Sequence, residues 1–410
     1  MAYTSTFPPP RRISMAVSSP SPRHRLMQLL ASPHAVALAA ASEIEAAGEW
    51  PAVLRLGERW KVQPAVAARL AALGRSLPPV EADELRRATA AQFIRTSLCL
   101  RAGSEAMQRL QAAGVNAAAF KGGAVIALLH ANARERILQD VDILIRAGDL
   151  ATALTTLEAN GYRRDVGTGS LADYISFVKN SPGAAGNQAV SLSNPAGNHL
   201  DLHWKLGRFD TEALLVTARP VRVLNVETTV VRPAFGLLLT VHHALRNDLI
   251  PDEIARDILD CGGWFRLLAT DPEELSCALE YARRWGLDEA VHAVSMIVQH
   301  FGGESPLPMA AAGSAAAALA DLYLRQLDAE PINADLPSLA SPRAIGQILS
   351  GALSGWRRYA GLMREFEAAN GEASLTLSER VKRLAAAAWQ LSPAQWREVR
   401  ALARAKDRLL

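Results

Sequence analysis

Apolar residues recur at three- and four-residue intervals along most of the chain, which is the spacing that buries one face of a helix. This spacing covers about residues 24–77 and continues as one long stretch over about residues 81–113. Beyond Thr211 it is again mostly helical, apart from a strand pair predicted around residues 221–231. The pattern therefore predicts helices on both sides of a central segment.

The central segment has a different pattern. Short apolar runs bounded by glycine, asparagine and proline replace the helical spacing there. Predicted strands cover residues 115–120, 141–145, 189–192 and 199–204, and predicted helices cover residues 124–132 and 149–160. We therefore predict an α+β protein with a small mixed sheet. The predicted units are a disordered tail (1–24), an N-terminal helical segment (25–80), a central core (81–208) and a C-terminal helical domain (209–410).

Composition narrows the class of protein. The chain has 410 residues, of which 50% are hydrophobic and 21% charged, enough apolar material for more than one globular unit. The formal net charge of +3 gives no reason to expect nucleic-acid binding. Three widely separated cysteines indicate neither a disulfide framework nor a zinc site, and they fit a cytoplasmic setting. We predict neither a membrane span nor a signal peptide.

The clearest chemical signal is a pair of aspartates at the start of a predicted strand, Asp140 and Asp142. Residues two apart in a strand point to the same side, so both carboxylates face one way. Two anions held this close repel each other unless a cation lies between them, and Mg²⁺ takes oxygen ligands of this kind. The alternative is a solvated strand end that carries two incidental aspartates.

A glycine turn precedes this pair. Lys121, Gly122 and Gly123 lie between a predicted strand and a predicted helix. Glycines allow the backbone to approach a phosphate closely, and the first amides of a helix favour an anion. Taken alone the turn is ordinary, but a glycine turn that opens a helix, followed by two aspartates that open a strand, predicts a phosphate and metal site.

A third carboxylate lies on a later predicted strand, where His199, Asp201 and His203 share one face. Asp201 can complete a metal site with the first two aspartates and accept a proton from an attacking hydroxyl. Two alternatives remain open. The two histidines can form a metal-binding trio with Asp201, although that leaves Asp140 and Asp142 unexplained, or the strand is only amphipathic.

These motifs resemble an uncharacterised nucleotidyltransferase family of the polymerase-β-like superfamily, of the type often encoded beside lasso-peptide biosynthesis genes. The residues that carry the resemblance are Lys121-Gly122-Gly123, Arg136, Asp140-Val141-Asp142 and Asp201-Leu202-His203-Trp204. The resemblance covers about residues 40–270. In two respects the chain departs from the superfamily: Gly123 replaces a serine, and the gap from Gly123 to Asp140 is longer than usual.

The resemblance implies a polymerase-β-like core and a role for each motif residue. Asp140, Asp142 and Asp201 would bind Mg²⁺ or Mn²⁺, with Asp201 nearest the acceptor hydroxyl. Gly122 and Gly123 would form the phosphate turn, and Lys121 and Arg136 would neutralise phosphate charge. The donor would be a nucleoside triphosphate, and the reaction an in-line attack on its α-phosphorus.

The acceptor is not encoded in these motifs, and a peptide, a small molecule, a protein or an RNA end all remain open. A ribosomal peptide is suggested only by the genomic company of the family.

Two other interpretations of the motifs differ from this one. A glycosyltransferase also uses paired aspartates, but its apolar strand usually precedes them, whereas residues 143–145 follow them here. A degenerate transferase fold that serves as a binding or scaffold protein is the main non-enzymatic alternative.

Overall fold

The computed structural model of the protein describes residues 20–130, 133–164, 170, 188–223, 226–246, 251–308 and 313–328. Most of the predicted N-terminal tail, residues 1–24, lies outside these ranges, as does the chain beyond residue 328. Within the described ranges, no helix combines the length and the hydropathy needed to cross a bilayer.

Short helices build the N-terminal segment, as the apolar spacing predicts. They are α1 (Pro22–Ala31), α2 (His34–Ala46), α3 (Trp50–Arg59) and α4 (Gln63–Ala72). Helices α1, α3 and α4 each carry a proline in the first turn, where the missing N–H has no partner inside the helix in any case. Their apolar faces, with Leu26, Met27 and Val53 fully buried, join the same hydrophobic core as the rest of the protein.

The described strands form one mixed sheet. They are β1 (Ala117–Phe120), β2 (Asp140–Ile145), β3 (Arg163–Arg164), β4 (Gln188–Ser193), β5 (His199–Lys205), β6 (Arg219–Val223) and β7 (Val226–Val230). The order across the sheet is β3-β4-β5-β2-β1-β7-β6. The pairs β2–β5 and β1–β7 are parallel, and the other neighbours are antiparallel. A mixed sheet surrounded by helices confirms the predicted α+β class.

One long helix, α5 (Pro79–Ala112), supports the sheet and confirms the helix predicted over residues 81–113. It packs against β1, β2, β5 and β7. The closest approach is at Gly103, where a Cβ atom would lie 2.7 Å from the Val141 Cγ1 atom. Only glycine therefore lets α5 lie this close to β2, the strand that carries the two predicted metal-binding aspartates.

The remaining helices complete the frame around the site. They are α6 (Gly122–Leu129), α7 (Leu150–Ala159), α8 (Thr211–Val216), α9 (Pro233–Arg246), α10 (Pro251–Ala269), α11 (Pro272–Arg284), α12 (Asp288–His300) and α13 (Ser314–Asp328). Helix α10 contacts both α6 and α1, so it links the C-terminal helices to the start of the chain. The predicted strand pair is the β6–β7 hairpin, and it extends the central sheet beside β1.

Candidate functional site

Two parallel strands bring the carboxylates together. Asp142 of β2 pairs in register with Asp201 of β5, so the two side chains lie next to each other on one face of the sheet. Neighbouring strands lie about 4.8 Å apart, which keeps such a pair within reach of one cation. The sheet thus joins two of the three carboxylates that the sequence singled out.

A histidine completes this group. Asp142, Asp201 and His203 each offer one ligand atom, and these atoms all lie within 4.8 Å of one another. Asp142 and His203 are buried, whereas Asp201 is half-buried and accepts a 2.6 Å hydrogen bond from the Ser191 hydroxyl. The cluster therefore combines a buried side with an accessible carboxylate.

Asp142 is held as a carboxylate by two donors. Its Oδ1 atom lies 2.6 Å from the Lys121 Nζ atom and 2.9 Å from the His203 Nε2 atom. Burial alone would raise the pKa of Asp142, but the Lys121 ammonium and the His203 hydrogen bond outweigh burial and lower the pKa to about 2. Asp142 is consequently ionised at neutral pH.

Asp140 lies at the exposed end of β2, beside His199 of β5. Partial desolvation, followed by the nearby charges of Asp142 and Asp201, raises the pKa of Asp140. Mutual repulsion of this kind is relieved by a cation. The His199 ring is hydrogen-bonded to the Ser193 hydroxyl of β4 at 3.1 Å.

The glycine turn lies directly against this cluster. Lys121 joins β1 to α6 with φ 48° and ψ −127°, a conformation that L-residues rarely adopt. Behind it, a Cβ atom on Gly122 would lie 3.0 Å from the Arg136 Nη1 atom and 2.6 Å from the Leu138 Cδ1 atom. The turn is therefore strained at the lysine and packed too tightly for a side chain at the first glycine. Strain of this kind is common at functional sites.

Arg136 forms its ion pair with an aspartate of α10 and not with Asp140, Asp142 or Asp201. Its Nε and Nη2 atoms donate to Asp260 of α10 at 2.6–3.1 Å, and both side chains are buried. Burial alone would lower the pKa of Arg136, but the Asp260 carboxylate raises it. Asp257, three residues before Asp260 on the same face of α10, lies close to a histidine, with its Oδ2 atom 2.7 Å from the His243 Nδ1 atom.

Sequence reasoning missed two features of the site. His203, considered only as part of a trio with His199 and Asp201, instead bonds to Asp142. The alternation along the strand placed it on the correct face, but the parallel pairing with β2 could not be derived from the chain. The carboxylate partner of Arg136 was also missed, because Asp260 lies 124 residues away in the sequence.

The donor set fits a divalent cation. Carboxylate oxygens suit Mg²⁺ and Mn²⁺, and an imidazole nitrogen shifts the preference toward Mn²⁺ and other transition metals. The other ring nitrogen of His203, Nδ1, is buried without a hydrogen-bond partner among the described residues. A buried polar atom in this condition is costly unless another group uses it.

Comparison with known proteins identifies a family. The family described as uncharacterised nucleotidyltransferase matches residues 46–303, which is more than half of the chain. An antigenic nucleotidyltransferase-like protein from Paracoccidioides brasiliensis is similar in structure at 16% identity, with a TM-score of 0.28, covering 47% of this chain and 91% of that one. At that TM-score the likeness bears on neither fold nor function. No curated protein matches the sequence. The chain belongs to the family of uncharacterised nucleotidyltransferases.

Proposed function

We propose that the protein transfers a nucleoside monophosphate from a nucleoside triphosphate to a hydroxyl or phosphate acceptor, with release of pyrophosphate. The observation that carries this proposal is the register of Asp142 and Asp201 on two parallel strands, directly beside the Lys121 turn. Clustered carboxylates next to a glycine turn that opens a helix provide one site for a cation and one for phosphate.

Asp140, Asp142 and Asp201 are the residues proposed to hold Mg²⁺ or Mn²⁺. When bound, the metal supplies positive charge at the reacting phosphate and orients the triphosphate. The side chains supply the rest. We assign to Asp201 the role of accepting the proton of the acceptor hydroxyl; its half-buried position and its hydrogen bond from the Ser191 hydroxyl support this role.

Lys121 is proposed to move between two anionic partners. In the structure its ammonium neutralises Asp142 and remains partly exposed, with 30% of its side-chain surface accessible. A cation at the carboxylates removes the need for that pairing, so the ammonium is free to bind a phosphate oxygen at the Gly122-Gly123 turn. Arg136 is proposed to support the turn and not to contact the phosphate. It packs against Gly122 and connects the turn to α10 through its ion pair with Asp260.

One observation favours a second candidate function, a degenerate transferase fold that only binds a partner. Because Lys121 already neutralises Asp142 and His203 is hydrogen-bonded to it, this buried carboxylate has partners without a metal. The two functions differ in their response to metal and nucleotide, which the following experiment measures.

The test is a thermal-shift titration with each nucleoside triphosphate, with and without Mg²⁺ or Mn²⁺. We expect one nucleotide at a hundredfold excess over Kd to raise the Tm by roughly 3–4 °C, and only with metal. Asp142→Asn and Asp201→Asn should lose this shift. Asp288→Asn, an exposed position at the start of α12, is the matched control and should keep it. A shift that survives both site variants, or no shift with any nucleotide, would contradict the transferase proposal.

The acceptor of the nucleoside monophosphate requires a separate experiment. The resemblance to the lasso-peptide-associated type makes a ribosomal peptide one acceptor to screen, alongside small molecules and proteins. The screen would use the nucleotide identified above, labelled at its α-phosphate, and would measure transfer of the label to each acceptor. Transfer to peptide alone would assign a role in peptide modification, and transfer only to other acceptors would exclude that role.

A further inference from the structure

A cavity of about 180 Å³ lies between the N-terminal helices and α10. Its walls include Lys61 from the α3–α4 connection, Glu135 and Arg136 from the segment before β2, and Arg256 and Arg266 from α10. Charged side chains are thus concentrated in one small space. We define these surroundings as the basic cavity.

The positive charges of the basic cavity outnumber the negative ones. Arg136 and Asp260 neutralise each other, and Glu135 lies 3.1 Å from the His130 ring. This leaves Lys61, Arg256 and Arg266, none of which forms an ion pair with a carboxylate among the described side chains. Lys61 donates only to the amide oxygen of Gln139, at 2.5 Å. Three cations in one cavity repel one another unless an anion joins them.

Among these three cations, Arg256 has the least compensation for its buried polar atoms. Its Nε atom is buried and has no hydrogen-bond partner among the described residues. Burial and the adjacent Arg136 guanidinium lower the pKa of Arg256, although three aspartates in the vicinity oppose this effect. A buried cationic donor without a partner is costly, so the arrangement is explained if a ligand supplies the missing oxygen atoms.

Hydrogen bonding and packing connect the walls of the cavity to the reaction site. Lys61 lines the cavity, and its partner Gln139 directly precedes Asp140. Arg136 also lines the cavity, and it packs against Gly122 of the phosphate turn. The cavity is therefore linked to the carboxylate strand through Gln139 and to the phosphate turn through Arg136.

We propose that the basic cavity binds a phosphate group carried by a substrate, with the partly buried Arg256 and the exposed Arg266 and Lys61 as its ligands. A phosphate presents several charged oxygens at once, which suits guanidinium donors arriving from different directions. Binding of phosphate here does not depend on the transfer reaction. The identity of the substrate that carries it, donor or acceptor, rests on the proposed function.

The first test measures binding of inorganic phosphate and of pyrophosphate by isothermal titration calorimetry in the absence of metal. Arg256→Gln and Arg266→Gln should each weaken binding by about tenfold or more, since each removes a charged hydrogen-bond donor. Arg256→Lys keeps the charge and should weaken it less. Arg101→Gln, at an exposed position of α5, is the matched control and should bind like wild type. Absence of binding to the wild-type protein, or equal binding by all variants, would overturn the proposal.

A second arm identifies the source of the phosphate. The titration is repeated with the metal-bound nucleotide at saturation. Phosphate that still binds assigns the cavity to the acceptor, whereas exclusion of phosphate assigns it to the tail of the donor; both results support a phosphate site. Asp142→Asn removes a proposed metal ligand but no proposed phosphate ligand, so this variant separates the two proposals. If the nucleotide response of the wild-type protein is absent but phosphate binding depends on Arg256, the transferase proposal fails and the cavity proposal stands.

Discussion

The buried ion pair between Arg136 and Asp260 gives the sharpest prediction. Both side chains are less than 8% exposed, and three N–H···O contacts of 2.6–3.1 Å join them. The change to make is Arg136→Met, which preserves much of the side-chain volume and removes the charge. It leaves Asp260 buried without its main partner, while the site carboxylates on β2 and β5 remain in place.

The expected magnitude follows from that burial. Removal of one member of a buried pair typically costs roughly 3–5 kcal/mol, because the remaining charge is uncompensated. Arg256 lies close enough to act on Asp260 electrostatically and should offset part of the loss, so we expect a cost of about 3 kcal/mol. The double variant Arg136→Met/Asp260→Leu removes the orphaned charge, and it should recover about 2 kcal/mol of this loss.

Stability is measured by urea denaturation of the wild type, both single variants and the double variant. These four proteins form a double-mutant cycle, which gives the coupling energy between Arg136 and Asp260. Arg101→Met, which breaks the exposed pair with Glu105, should cost no more than about 0.5 kcal/mol and serves as the control. The same proteins are titrated with metal and nucleotide. A loss of nucleotide affinity in Arg136→Met at unchanged stability would refute the reasoning, because it would show that Arg136 contacts the phosphate and not primarily Asp260.

Three further predictions test the site and its support. In metal-free buffer, the wild type should be more stable than Asp142→Asn by about 2 kcal/mol at pH 7, because the pKa of Asp142 in the folded protein, about 2, lies below its ordinary value of 3.8. This difference in the free energy of unfolding should fall to about half by pH 3 as the carboxylate protonates. A difference that does not depend on pH would contradict the ion pair. Gly103→Ala should cost roughly 1–3 kcal/mol in urea denaturation through its contact with Val141, and Val141→Ala in the same chain should remove part of that cost. Lys121→Gly should be about 1 kcal/mol more stable than Lys121→Met by thermal denaturation, because glycine adopts the positive φ without strain; equal stabilities would show that the backbone there is unstrained.

Local patterns were sufficient for part of the fold. The helical spacing located α5, and the alternation after Asp140 placed Asp142 on the same face of a strand. Both features depend on residues a few positions apart, whose relative directions follow from backbone geometry alone. The hairpin β6–β7 was also visible in the sequence, but its position beside β1 was not, because strand order depends on long-range pairing.

Residue types and their local spacing identify which side chains can carry the chemistry: a lysine on a glycine turn, two aspartates that open a strand, and a third on a later strand. Long-range strand pairing and helix packing then bring particular members of this set together. Parallel pairing of β2 with β5 set Asp142 beside Asp201 and brought in His203, 61 residues away, while leaving His199 opposite Asp140. Packing of α10 against the turn brings Asp260 within hydrogen-bond distance of Arg136 and encloses the basic cavity. The physical reason is that a side chain's direction is fixed by its nearest neighbours in the chain, whereas its partner is fixed by hydrogen bonding between strands and by close packing of distant elements.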